Sequence, residues 1–387
     1  MKFIHAADIH LGNPFIGLDQ TLPNRLKKIV HQSTITAFTD LISSAITEEV
    51  DFLVLPGDLY SATKNSPQIQ NIVSHQFERL NVVGIPVYLS FGNHDFEADK
   101  QSHLPWPKNV HVFGQKVETK YLTLDTGEKI ALTGFSYQTQ RQPKKVIDDF
   151  PIKSQLADYH IGLYHGSPGI DGEPYAPFSV SDMLKKNYDY WALGHIHIRQ
   201  TLNNQPFIGY SGVLQGLNRK ETGAKGYYLV KSSNHLLIPT FHEVSPIIWE
   251  ELILPAVKDE LDLTNQILHD IPKKTTFLSI KITSKIDEIL SQQLASGTTL
   301  EKVREKSPEN LWLINLTTTH DMSTLLAADN IDQKYWSESL ETVFSDFVIS
   351  DYVSNEAPTF VREYFMGDEG KSVLRDKMQQ LIQSRKA

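Results

Sequence analysis

Cysteine is missing from all 387 residues. That absence excludes disulfides, thiolate metal ligands and a cysteine nucleophile, so any metal must be held by nitrogen and oxygen. No apolar run is long enough to cross a bilayer, which leaves no transmembrane helix to expect. The opening Met1-Lys2-Phe3-Ile4-His5-Ala6-Ala7-Asp8 turns polar too soon for a secretory signal, and a cytoplasmic location is the expectation. Positive charge is also in short supply. The net charge of −9 comes almost wholly from residues 246–387, with 15 Lys+Arg against 23 Asp+Glu, whereas residues 1–245 hold 22 against 23. A uniformly basic nucleic-acid surface is therefore excluded. Internal repeats and low-complexity segments are absent too.

What is present is an ordinary globular composition, 40% hydrophobic and 21% charged, in a chain long enough for two domains. Phe3–Ala7 reads as a first strand, followed by a helix between about Thr21 and Thr47 whose apolar residues recur at three- and four-residue steps. Residues 51–55 form a second strand, 67–80 a second helix and 85–89 a third strand. Strand, helix, strand, helix, strand points to an α/β sheet with a parallel half. Beyond it the pattern turns toward antiparallel β, with a hairpin around Asp125-Thr126-Gly127-Glu128 and strands at 161–164, 190–193, 207–212, 226–230 and 235–242.

Ser245-Pro246 is the expected domain boundary. Residues 246–320 read as a small α+β domain with strands at 249–254, 276–282 and 310–316 and helices at 258–270 and 286–294. Residues 321–387 form a third segment, an acidic tract with interspersed aromatics that ends in a basic helix with Val373, Leu374, Met378, Leu381 and Ile382.

Five polar clusters stand where predicted strands end: Asp8/His10, Asp58, Asn93/His94, His165 and His195/His197. Open α/β sheets place their sites at the carboxyl ends of strands, so residues nearly 190 apart can converge. Extended geometry would turn Asp8 and His10 to one side. The nitrogen and oxygen donors suit Mn²⁺, Fe²⁺ or Zn²⁺ better than Mg²⁺ or Ca²⁺. Seven ligands exceed what one tetrahedral ion needs and suit two ions roughly 3.5–4 Å apart, the clamp used in phosphoester hydrolysis. Water bridging two such cations is a hydroxide near neutral pH. His5, His75, His103, His111 and His160 have no partners at ligand spacing and read as surface or satisfied histidines. Arg141, Lys144 and Lys145 read as a solvated loop more readily than as a phosphate contact.

Asp8-x-His10, Gly57-Asp58, Gly92-Asn93-His94-Asp95, His165 and Gly194-His195-x-His197, in that order, resemble the calcineurin-like metallophosphoesterase superfamily. The resemblance implies a four-layer α/β/β/α sandwich and assigns roles. Asp8, His10 and His197 would hold one divalent metal, Asn93, His165 and His195 the other, with Asp58 bridging; Mn²⁺ is the expected ion. His94 would act on the substrate and Asp95 would orient its imidazole.

Within the superfamily, the opening Lys2-Phe3-Ile4-His5-Ala6-Ala7-Asp8-Ile9-His10-Leu11-Gly12, the block Gly57-Asp58-Leu59-Tyr60 and the extra domain resemble DNA repair exonucleases of the SbcD/YhaO type. That likeness implies DNA as substrate, a capping second domain, an SbcC-like coiled-coil ATPase partner docked through a C-terminal segment, and a homodimer. Ser61 stands where the family often has His or Asp. The alternative is a small-molecule phosphodiesterase or phosphatase, such as a cyclic-nucleotide phosphodiesterase. A protein phosphatase fits less well, because Asp58-Leu59-Tyr60 lacks the Asp-Arg-Gly expected there. A non-enzymatic scaffold fits least, since every ligand position is filled.

Overall fold

A computed structural model describes residues 1–13, 15, 18, 22–61, 66–96 and 105–318, with a few isolated positions after 363. His103 and nearly all of the segment 321–387 lie outside the described residues; of its expected basic helix only 370 and 372–374 are described, and they are helical.

The first sheet is built on parallel strands β1 (Lys2–His5), β2 (Phe52–Pro56), β3 (Val87–Ser90) and β4 (Val110–Val112). An antiparallel pair, β11 (Gly226–Ser233) and β12 (Leu236–Glu243), extends it beside β1. Alternate residues of each strand face opposite sides. Ile4, Leu53, Leu55, Val87 and Leu89 pack under α1 (Asn24–Thr47) and α2 (Pro67–Val82). Phe3, Phe52, Val54 and Tyr88 face inward onto a second sheet.

That second sheet has the order β5 (Glu118–Thr123), β6 (Lys129–Gly134), β7 (Tyr159–His165), β8 (Tyr190–Gly194), β10 (Phe207–Tyr210), β9 (Gln200–Asn204). Ile130, Leu132, Ile161, Leu163, Tyr190 and Ala192 complete the layer between the sheets. Their neighbours Tyr164, Trp191, Leu193, Ile208 and Tyr210 pack outward against Met183 of the short α3 (Val180–Lys185). The layers are thus α/β/β/α, as the resemblance implied.

One expectation is corrected. The second sheet is antiparallel only at its margins, β5–β6 and β9–β10, while β6–β7, β7–β8 and β8–β10 are parallel. Parallel neighbours need crossover connections. Here two of those crossovers are mostly irregular chain with one short helical turn each, at Val146–Asp149 and at α3, which no long amphipathic pattern announces. The consequence is functional, because parallel strands send their carboxyl ends to a single edge.

Between Glu243 and Ile247 the chain passes from β12 to a three-stranded parallel sheet, β13 (Ile247–Leu254), β14 (Thr275–Ile282) and β15 (Leu311–Thr318). α4 (Glu260–Leu268), α5 (Glu288–Ala295) and α6 (Thr298–Lys306) supply the crossovers, and α6 was not anticipated. Leu263, Ile280, Leu290, Val303 and Leu313 form its core. Its other face joins the first unit through Ile247, Trp249 and Phe277, packed against Phe15, Leu18, Leu22, Leu26 and Val30.

Candidate metal centre

β1, β2, β3, β7 and β8 all end in the polar clusters seen in the sequence, and the structure brings these together. Asp8, His10 and His197 form one compact group of potential ligand atoms, and Asp8, Asp58 and His165 a second. His10 Nε2 faces His197 Nε2 at 3.0 Å. Asn93 Oδ1 lies 3.0 Å from both His165 Nε2 and His195 Nδ1. Asp58 Oδ2 stands between the two sets, 3.7 Å from His10 Nε2 and 3.5 Å from His165 Nε2.

Asp8 and His10 do meet on one side, but not through extended backbone. Their φ values are 51° and 49°, with Asp58 at 54° and His195 at 105°, so four candidate ligands occupy the left-handed region. Such residues cost on the order of 1–3 kcal/mol each and persist where the surroundings over-determine them. The loops are locked by backbone pairing, His10 N–H to Asp58 C=O at 3.0 Å and Leu11 N–H to Leu59 C=O at 3.0 Å. Both Asp8 oxygens also accept the His195 N–H, at 2.9 and 3.0 Å.

The motif glycines are explained by His165. A Cβ on Gly57, whose φ is +91°, would collide with its imidazole, and one on Gly92 would collide with both that ring and Asp58 Oδ1. Only bare backbone lets a fully buried histidine stand at the meeting point of the two sheets.

Proton bookkeeping shows what the donor set fits. His165 Nδ1 faces the Pro56 carbonyl at 3.0 Å, so it carries the proton and leaves a lone pair on Nε2. That lone pair points at Asn93 Oδ1, itself an acceptor. His197 Nδ1 likewise donates to Glu221 Oε1 at 2.7 Å, leaving its Nε2 aimed at His10 Nε2. Lone pairs converging in a buried pocket are the signature of a cation site, and nitrogen with carboxylate and amide oxygen is a donor set for divalent transition metals.

The charges agree. Burial is the main force on Asp8 and raises its pKa to about 6 against the pull of His165 and His197. Burial would raise Asp58 as well, but His165, His94 and His10 together hold it below the usual carboxylate range. Burial lowers His195 to about 3 and His10 well below its ordinary value, so both stay neutral and available as ligands.

His94 is set apart from these residues. It is half-buried, its N–H donates to Asp58 Oδ1 at 3.0 Å, and its ring meets His10 edge-on at 5.1 Å. Asp95 does not orient that imidazole as expected. Its Oδ1 accepts the Gly92 N–H at 2.6 Å, and its Oδ2 accepts those of Leu59 and Tyr60 at 2.7 and 3.2 Å. The carboxylate is spent on three buried backbone donors, tying the loop after β3 to the loop after β2.

Glu221 was missed, because it sits in a polar loop with no strand-end pattern. Tyr175 was missed too; its ring lies 4.5 Å from that of His195. The other histidines behave as expected: His5 and His160 are buried and hydrogen-bonded, His75 is exposed and His111 stacks on Tyr88. Lys144 pairs with Asp149 and Lys145 with Asp182, which neutralises most of the basic cluster near Arg141.

Residues 1–199 match the calcineurin-like phosphoesterase family, and the chain belongs to it. The family hydrolyses phosphoesters at a dinuclear divalent metal site. Over 255 residues the chain is 40% identical to the uncharacterized metallophosphoesterase YhaO of Bacillus subtilis, a match spanning 65% of this chain and only 62% of that protein. It is 25% identical over 332 residues to the DNA double-strand break repair protein Mre11 of Methanococcus maripaludis, covering 80% of this chain and 85% of that one. It is 23% identical over 384 residues to the SbcD component of the nuclease SbcCD from Staphylococcus saprophyticus, covering 92% and 95%. Among the described residues no helix is long and apolar enough to cross a membrane.

Proposed function

We propose that this chain is a metal-dependent DNA nuclease that cleaves phosphodiesters at the edge where the two sheets meet. The observation that carries the reading is the placement of Asp58 Oδ2 between the His10/His197 pair and the Asn93/His165/His195 set. Asp8, His10 and His197 would hold one divalent ion, Asn93, His165 and His195 the other, with Asp58 shared and Mn²⁺ the natural occupant. When bound, such a pair supplies Lewis-acid charge and activates water for in-line attack on phosphorus. His94, half-buried and in neither group of potential ligand atoms, is the group placed to meet a substrate and to deliver a proton to the leaving oxygen. Asp95 holds the His94 loop in register with the Asp58 loop.

DNA is favoured over a small diester because the Mre11 and SbcD matches run through most of the chain, beyond the two-sheet unit. Residues 246–320 are then a separate capping domain over 1–245. Residues 321–387 are the docking segment for an SbcC-like coiled-coil ATPase, within a homodimer working in the cytoplasm. Residues 101–245, with fifteen positive against twelve negative side chains, would supply what attraction to phosphate the chain offers.

The deciding experiment offers linear duplex DNA, single-stranded DNA, bis-p-nitrophenyl phosphate and cyclic AMP to the Mn²⁺-loaded protein. Cleavage of DNA is expected. Turnover of the small diesters with neither DNA touched would replace the nuclease reading by a small-molecule phosphodiesterase. Removing residues 321–387 should abolish co-purification of an ATPase subunit while nuclease activity persists.

A further inference from the structure

Glu221 lies outside all five strand-end clusters, in the loop joining β10 to β11, yet it is tied to the centre. Its Oε1 accepts from His197 Nδ1 at 2.7 Å and from Asn218 Nδ2 at 2.9 Å, and its Oε2 accepts the Leu217 N–H at 2.6 Å. The side chain is only 8% exposed. A carboxylate so enclosed is tolerated because donors fill its oxygens.

His197 needs such a partner more than its neighbours do. Its side chain is 29% exposed, against 3% for His10 and 0% for His165. Packing walls hold those two rings in place. The His197 ring is held chiefly by the bond to Glu221, which also puts the proton on Nδ1 and turns the Nε2 lone pair toward His10 and Asp8.

The loop carrying Glu221 is itself pinned on both sides to β13. The Gln215 amide bonds the Ile247 N–H at 3.1 Å and the Ile247 carbonyl at 3.0 Å. Trp249 Nε1 donates to the Gly216 carbonyl at 2.8 Å, and the Gly223 N–H donates to the Trp249 carbonyl at 2.9 Å. Trp249 belongs to the cluster that joins the three-stranded sheet to α1. A continuous path of short bonds thus runs from that sheet, through Trp249 and Glu221, to a single candidate ligand.

We propose that Glu221 is a positioning residue for the metal centre: it fixes the tautomer and orientation of His197, and β13 braces it through Trp249. The inference rests on the metal-site reading above. It concerns one of the two ions only, since Asn93, His165 and His195 have no bond to this loop.

The test is a calorimetric titration of the metal-free full chain with Mn²⁺, alongside electron paramagnetic resonance of the bound ions. The wild-type chain takes two ions as a spin-coupled pair. In Glu221→Ala one affinity falls about 10- to 100-fold while the other holds, and the signal at limiting Mn²⁺ becomes mononuclear. Glu221→Gln keeps an oxygen facing His197 and recovers most of the loss. Trp249→Phe, which removes only the indole donor, weakens the same ion by less. Unchanged affinities in Glu221→Ala, or equal loss at both sites, overturn the inference. Should that variant not fold, Glu221→Gln and Trp249→Phe carry the test, and wild-type affinities in both would overturn it. A wild-type chain that takes fewer than two ions overturns the metal-site reading itself.

Discussion

His5 and His165 are both fully buried, and each is the last residue of its strand. The His5 ring lies between the two sheets, against Tyr190 and Leu193, whereas the His165 ring stands at their common edge. Their second nitrogens tell them apart. His5 Nε2 faces the Leu193 carbonyl at 3.1 Å and its Nδ1 faces the Tyr190 hydroxyl at 3.0 Å. A hydroxyl can donate, so both nitrogens are satisfied by protein alone. His160 is similar: the Ser154 N–H donates to its Nδ1 and the Thr133 hydroxyl meets its Nε2. His165 instead has an acceptor at each end, Pro56 C=O and Asn93 Oδ1. Burial alone therefore does not identify a ligand histidine; a lone pair with nothing to receive does. The interior of the sheets uses imidazole as a polar spacer, and their common edge uses it as an electron donor.

Four experiments would break or sharpen that contrast. The largest effect belongs to the edge: His94→Ala should lower kcat roughly 10²- to 10⁴-fold, the range for losing a general acid, with metal stoichiometry intact. Loss of metal instead would make His94 a ligand. Gly92→Ala comes next, since its Cβ would press on His165 and Asp58. Thermal melting should show a destabilisation of about 1–3 kcal/mol from overpacking, and Mn²⁺ binding should weaken. A variant that melts and binds like wild type would refute the cradle.

In the interior, His5→Leu should cost roughly 1–3 kcal/mol by stranding the Tyr190 hydroxyl and the Leu193 carbonyl, without altering Mn²⁺ affinity. Altered affinity would erase the distinction between the two regions. The last effect appears only on acidification. Burial lowers His160 to about 4, whereas the unfolded imidazole titrates near 6.5. The unfolded state therefore binds protons first, and His160 subtracts stability progressively as pH falls from about 6.5 to 4. Denaturant midpoints for wild type and His160→Gln should diverge over that window, wild type losing more. Parallel curves would contradict the lowered value.

The strand-end clusters were legible because parallel strands put their carboxyl ends on one edge, and Asp8, Asp58, Asn93, His165 and His195 each follow a recognisable apolar run. The parallel centre of the second sheet was not legible. Its crossovers are short turns and loops, and the alternation of Tyr159–His165 or Tyr190–Gly194 is the same whichever way a neighbour runs. Glu221 was illegible for a related reason. Its meaning lies in a bond to a residue 24 positions away, across a loop whose composition resembles any polar loop.

Residue type and order alone determined that this chain can assemble nitrogen and oxygen ligands, without thiolates, at the ends of strands in a layered α/β protein. Chemistry of that kind is local, since a donor atom is carried by its side chain wherever the chain goes. Only the tertiary structure decided which lone pairs meet, that Asp95 serves backbone amides rather than His94, and that the three-stranded sheet reaches His197 through Glu221. Those facts depend on distances of a few ångströms between segments far apart in the chain, which packing sets and composition does not.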